Sequence, residues 1–142
     1  MQKNFNDEYQ KVCVNIIYTG NWLNLMNCKL LKPFGLTTAQ YNVLRILRGQ
    51  YPKPATVNLI IERMLDKTSN ASRIVDKLVL KKLTERKICN KDRRRVDVII
   101  TKKGLALLED IDKPEDEWYS RIKILNKSEA MNLNFLLDKI RG

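Results

Sequence analysis

The sequence predicts a mainly α-helical fold carrying one small β-hairpin, and three observations support it. Apolar residues recur at helical spacing through most of the 142 residues. One stretch, "LTERKIC" followed shortly by "VDVIIT", alternates instead, as paired strands do. The chain is also the size of one ordinary domain, able to bury a core without metal or disulfide help.

Taken in order, Tyr9, Val12, Ile16, Ile17, Leu23, Met26 and Leu30 are spaced for a long first helix over 7–31, buried on more than one side and ended near Pro33 and Gly35. Thr37 stands three residues before Gln40, the spacing of a capping box, so a second helix starts there. It carries Tyr41, Leu44 and Leu47 on one face and meets Gly49 as its stop. "YPKPAT", with two prolines in three positions, reads as a connector. Thr56 is placed to cap a short third helix containing Val57, Ile60, Ile61 and Met64.

Only Asp66 to Thr68 separate that helix from the next, "DKTSNASRIVDKLVLKK". There Ala71, Ile74, Val75, Leu78 and Val79 mark one core face, and Ser69, Ser72, Arg73 and Asp76 stand opposite, with Asn70 and Lys77 at the margin. Two short helices joined by a tight turn, the second showing small polar residues and an arginine, form the arrangement that sets a recognition helix in a major groove. The competing reading is a plain solvated face.

The hairpin that follows tips the balance. Its two alternating strands are joined by "NKDRRR", a polar and basic tip, and Val96, Val98 and Ile100 anchor it. A helix-turn-helix followed by a basic hairpin is a winged helix, whose wing lies along phosphates and can set an arginine into the minor groove. Asp92, among Lys91, Arg93, Arg94 and Arg95, is placed to pair with a neighbouring arginine and fix the tip.

Past Thr101 a helix begins at "KKGLALLEDID", and Pro114 is expected to kink or break it, with Glu115, Asp116 and Glu117 opening a fresh helix. A last helix starts at Asn126, capped reciprocally with Glu129, and puts Ala130, Leu133, Leu137 and Ile140 on one face. These closing helices are expected to pack against a second copy of the chain.

Charge follows the same division. The chain has 27 basic and 16 acidic residues, a net +11, which favours a polyanionic partner. Residues 62–104 hold 14 basic and 6 acidic side chains, whereas residues 105–142 hold 6 and 8. The positive field therefore sits on the helix-turn-helix and the hairpin.

Other chemistry is hard to build. The sequence has no histidine, which removes the commonest general base and metal ligand. Neither a glycine-rich phosphate loop nor a paired-carboxylate motif is present, so no catalytic residue, cofactor or metal site is expected. No apolar run approaches the length of a bilayer span and no leader pattern is seen, so a cytoplasmic protein without membrane contact is expected. Cys13, Cys28 and Cys89 are odd in number and lack a C-x-x-C spacing, and packed reduced thiols are the preferred reading.

The order of elements resembles the MarR family of bacterial winged-helix regulators over nearly the whole chain. The block from Ser72 to Gly104 carries the most specific part: S-R-I-V-D-K-L, then L-T-E-R, then D-R-R and I-T-x-x-G. The resemblance implies a homodimer on a pseudo-palindromic operator in double-stranded DNA, usually a repressor released by a small ligand or oxidant. It implies a DNA-binding core at 37–104 within the single 1–142 protomer, with dimerisation helices at 1–34 and 105–142. By position it implies DNA contacts from Thr68, Ser69, Asn70, Ser72 and Arg73 and from the wing residues Arg93, Arg94 and Arg95, with Asp92 structuring the wing; Lys77 at the helix margin and Lys91 at the tip are read as further DNA-binding residues. Where many members have a glycine after the recognition helix this chain has Lys82, at a cost of roughly 1 kcal/mol if the turn is left-handed. Cys13 lies near the place of the reactive cysteine in the hydroperoxide-sensing branch, and Trp22, Tyr41 and Trp118 are candidates to line an inducer pocket. The competing function is a winged-helix module that binds protein or RNA.

Overall fold

The computed structural model describes residues 7–89 and 92–142, without the side chains of Arg93 and Arg94. Its elements run α1 (Glu8–Leu31), α2 (Thr38–Gln50), β1 (Ala55–Thr56), α3 (Val57–Arg63), α4 (Ala71–Leu80), β2 (Thr84–Cys89), β3 (Asp92–Ile100), α5 (Lys102–Ser120) and α6 (Lys127–Arg141), with short 3-10 turns after α1 and α5. The chain forms two compact units that divide inside α5, one through Glu109 and the other from Asp110.

Local capping accounts for most helix starts. Asp7 accepts from the Gln10 amide ahead of α1, and Thr37 and Gln40 cap α2 reciprocally, each side chain bonding the other's backbone N–H. Asn126 and Glu129 do the same for α6. Thr56 accepts from the Leu59 amide to open α3 while its own backbone pairs with Asp97 in the sheet.

Three expectations are corrected. α2 runs through Gly49 to Gln50, because the stop comes from the turn at Tyr51–Pro52 rather than from the glycine. α5 runs unbroken through Pro114, although the proline nitrogen cannot donate a helical hydrogen bond and its ring crowds the preceding turn. The sheet has three strands in the order β1-β3-β2, since the connector's Ala55 and Thr56 pair antiparallel with Val98 and Asp97. A two-residue strand has too little alternation to be legible in sequence.

The core of the first unit is apolar and closed. Val43, Leu44 and Leu47 from α2, Ile60 from α3, Val75 and Leu78 from α4, and Val98 and Ile100 from β3 are buried. Leaving Leu83's carbonyl and Ile100 so close to α5 requires a glycine at 104, where an added Cβ would fall 2.4 Å from the Leu83 oxygen. Thr101 joins the same corner: its hydroxyl donates to the Lys82 carbonyl and accepts from the Gly104 amide. The I-T-x-x-G pattern is thus a cap plus a close approach.

α1 is not packed on more than one side: within this chain only Leu31 is buried, and Tyr9, Ile17, Tyr18 and Leu25 are exposed. In the second unit, α6 has no buried residue, and Met131, Phe135 and Ile140 are exposed.

Candidate nucleic-acid interface

Helices α3 and α4 and their joining turn form the helix-turn-helix, and the turn is organised by one carboxylate. Asp66 accepts from the Thr68 amide at 2.9 Å, from the Thr68 hydroxyl at 2.6 Å and from the Ser69 hydroxyl at 2.6 Å. The Ser69 and Thr68 hydroxyls hold the exposed Asp66 carboxyl down to a pKa of about 2, well below the usual value. Lys67 donates to the carbonyls of Ile61 and Glu62, satisfying the open end of α3 where a cation suits the helix dipole. Asn42 of α2 accepts from the Leu65 amide and ties the turn to the core.

This turn corrects the placement of three predicted recognition-helix residues. Thr68 and Ser69 precede α4, and their hydroxyls are engaged with Asp66. Asn70 is the N-cap, extended in backbone, with Oδ1 accepting from the Arg73 amide at 3.0 Å. Short polar side chains compete with the helix for backbone partners, so a S-N pair favours a cap over a helix interior.

Ser72, Arg73 and Lys77 lie on α4 and are exposed, opposite the buried Ala71, Val75 and Leu78 as the periodicity predicted. The helix divides them between two open clefts. Ser69, Asn70, Arg73 and Lys77 line one of about 380 Å³ beside Ala39 of α2. Ser72 faces the other, of about 440 Å³, whose remaining wall includes Thr56, Asn58, Asp92 and Arg95. Recognition helix and wing thus share a cleft.

In the wing, β2 and β3 pair antiparallel from Thr84 opposite Ile100 to Ile88 opposite Val96, with an irregularity before Cys89 pairs with Asp92. β3 begins at Asp92, so the arginine run belongs to the strand and not to the tip. Arg95 pairs with Asp97, on its own strand, at 3.2 Å. Residues i and i+2 share a face of a strand, which brings Arg95 and Asp97 together. Lys91 and the side chains of Arg93 and Arg94 lie outside the described residues.

The turn from α4 into the wing is a left-handed C-cap. Lys82 has φ 60°, its amide bonds the Val79 carbonyl, and the Leu83 amide bonds the Leu78 carbonyl, the two bonds of a Schellman motif. The lysine in place of glycine therefore does sit in strained backbone. Lys81 beside it donates to the Gly35 carbonyl and to Gln40.

Sequence reasoning missed a link between wing and helix. Arg86 of β2 lies 2.6 Å from Asp76 of α4 and donates to the Ser72 carbonyl. The two are ten positions apart across a turn, where neither helical nor strand periodicity predicts contact. One other expectation, that of packed thiols, needs correction. Cys13 is exposed, as is Cys28, because α1 buries so little of itself in this chain. Tyr41 is a core residue whose ring meets the Arg45 guanidinium, and Trp22 is exposed. Trp118 stacks edge-on against Tyr119, with its indole nitrogen buried and without a hydrogen-bond partner. Among the described residues no group of three side chains could hold a metal ion, and no helix is long and apolar enough to cross a membrane.

Fold and site together define a winged helix-turn-helix protein. The model of the MarR family matches residues 34–95, the helix-turn-helix and most of the wing. The fold is similar along its length to that of a MarR transcription factor from Planctomyces limnophilus, at 26% identity, covering 95% of this chain and 98% of that one with a TM-score of 0.72. Over residues 34–95 the chain is therefore similar to the MarR family, and its fold is that of the MarR transcription factor just described. Two further solved structures share the fold at 22% identity: an S. aureus MepR–DNA complex, covering 96% and 97% of the two chains with a TM-score of 0.78, and Bordetella bronchiseptica BpsR, whose DNA binding is regulated by 6-hydroxynicotinic acid, covering 99% and 98% with a TM-score of 0.80. No curated protein matches the chain.

Proposed function

We propose that the protein is a dimeric, sequence-specific DNA-binding transcriptional regulator of the cytoplasm, without enzymatic activity, and a repressor released by a small ligand or an oxidant. The observation that carries this reading is the shared cleft, in which α4 presents Ser72 and the wing presents Arg95, with Arg73 and Lys77 exposed on the helix's other flank. Such an arrangement suits a helix in the major groove and a strand pair along the adjoining phosphates. The protein–DNA complex of MepR supports it as a relative's behaviour.

In this reading Arg73 reads a base edge, since arginine forks onto guanine. Ser72, Asn70 and Lys77 hold the helix against the backbone, Thr68 and Ser69 set its entry, and Lys91, Arg93, Arg94 and Arg95 carry the wing, with Asp92 structuring its tip. Residues 37–104 form the DNA-binding core. Residues 1–34 and 105–142 form the dimerisation helices, supported by the exposed apolar side chains of α1 and α6. Regulation of BpsR by 6-hydroxynicotinic acid supports release by a small molecule. The exposed Cys13 is the candidate oxidant sensor.

Selection of random duplex DNA by the purified protein tests the reading. The expected product is an inverted repeat with half-sites about one helical turn apart, roughly 34 to 36 Å. Binding that is salt-sensitive but enriches no sequence would favour the module that binds protein or RNA.

A further inference from the structure

Asp76 places a carboxylate on the polar side of α4, one turn beyond Ser72 and beside Lys77, in the part of the chain where positive charge is concentrated. Unanswered, that charge repels a phosphate backbone drawn up to the helix. Arg86 answers it from β2, with its guanidinium 2.6 Å from Asp76 Oδ1 and a long contact of 3.5 Å to the Ser72 carbonyl. Side-chain exposures of 40% for Arg86 and 57% for Asp76 make this a surface ion pair, which adds little to folding stability. One end nevertheless lies on α4, which walls one cleft, and the other on β2, the strand paired with β3, which walls the same cleft. Ser72, whose carbonyl Arg86 holds, lines that cleft together with Arg95.

We propose that Arg86 is a positioning residue of the DNA interface: acting through Asp76, it screens the carboxylate on α4 and fixes the wing's base strand to the recognition helix. The inference rests on the regulator reading and adds a residue pair to it. Arg86 itself need not touch DNA. Closing the cleft on a duplex excludes water around the pair and strengthens it where solvent had weakened it.

The test is a double-mutant cycle read in DNA affinity, by fluorescence anisotropy on a duplex enriched in the selection, with melting temperatures and salt dependence measured in parallel. Arg86→Ala is expected to weaken binding roughly tenfold or more, by leaving Asp76 bare, with a nearly unchanged melting temperature. Asp76→Ala and the double variant are expected to bind alike, because Arg86 matters only while Asp76 is present. The salt slope should stay at the wild-type value. A double variant as weak as Arg86→Ala, with a slope shallower by about 0.9, would make Arg86 a direct phosphate contact and overturn the proposal. Affinity losses that merely follow melting temperature would overturn it too. A wild-type protein that enriches no duplex defeats the regulator reading and this inference with it, whereas specific wild-type binding with either contrary pattern defeats the inference alone.

Discussion

Helices α4 and α6 carry the same kind of apolar stripe and meet opposite fates. In α4 the stripe is sealed, with Val75 and Leu78 fully buried and the charged residues left outside. In α6 nothing is buried, and Phe135 and Ile140 stand 63% and 61% exposed. An amphipathic pattern says that a face must be covered, and it does not say by what. For α4 the cover is the rest of its own unit. For α6, and for α1 with its exposed Ile17 and Tyr18, a second copy of the chain is the proposed cover.

The two helices should therefore break differently. Leu78→Ala is expected to cost about 2 to 5 kcal/mol, the usual range for emptying a buried leucine site. Denaturant unfolding should show that loss at every protein concentration. Phe135→Ala should cost about 1.5 to 3 kcal/mol of association, the scale of burying one phenylalanine, and leave the protomer folded. Sedimentation would show a raised dimer dissociation constant, and a wild-type melting temperature independent of concentration would count against the proposed dimer.

Smaller changes sharpen the contrast at the ends of α4. Lys82→Gly should stabilise the fold by about 1 kcal/mol, since glycine takes the left-handed conformation without strain. A melting temperature below wild type would show that the lysine side chain has a compensating role. At the other end, the depressed Asp66 carboxyl favours the folded turn above the ordinary aspartate value of 3.8, and that contribution is lost as pH falls through about 2. An Asp66→Asn variant should lose this part of the acid dependence while leaving the rest. Direct titration of the Asp66 carboxyl by NMR should give a value clearly below 3.8, and an ordinary value would dissolve the hydrogen-bonded turn as described.

Much of this was legible before any coordinates. Thr37 with Gln40 and Asn126 with Glu129 signalled helix starts because the chemistry of a capping box is local. The five-residue stripe of α4 signalled its core face for the same reason, and the family resemblance marked Lys82 as standing where many members have glycine. The site was legible only in part. The arginine run and the Ser72–Arg73 pair stood out by composition and order, whereas the start of α4 was placed too early, because Thr68, Ser69 and Asn70 fit a helical face as readily as a cap. Their engagement with Asp66 and the Arg73 amide settles the difference.

What the sequence determined alone was local: the helices, their caps, the basic wing and the absence of histidine. What only the tertiary structure decided was the meeting of distant residues. Ala55 and Thr56 became a third strand because β3 had an edge to offer, Gly104 was required because the Leu83 carbonyl comes so near, and Arg86 reached Asp76 across the turn from helix to wing. Periodicity reports which side of an element faces inward. Contact between elements depends on how they dock, and docking is set by the packing of the whole core rather than by any one stretch of chain.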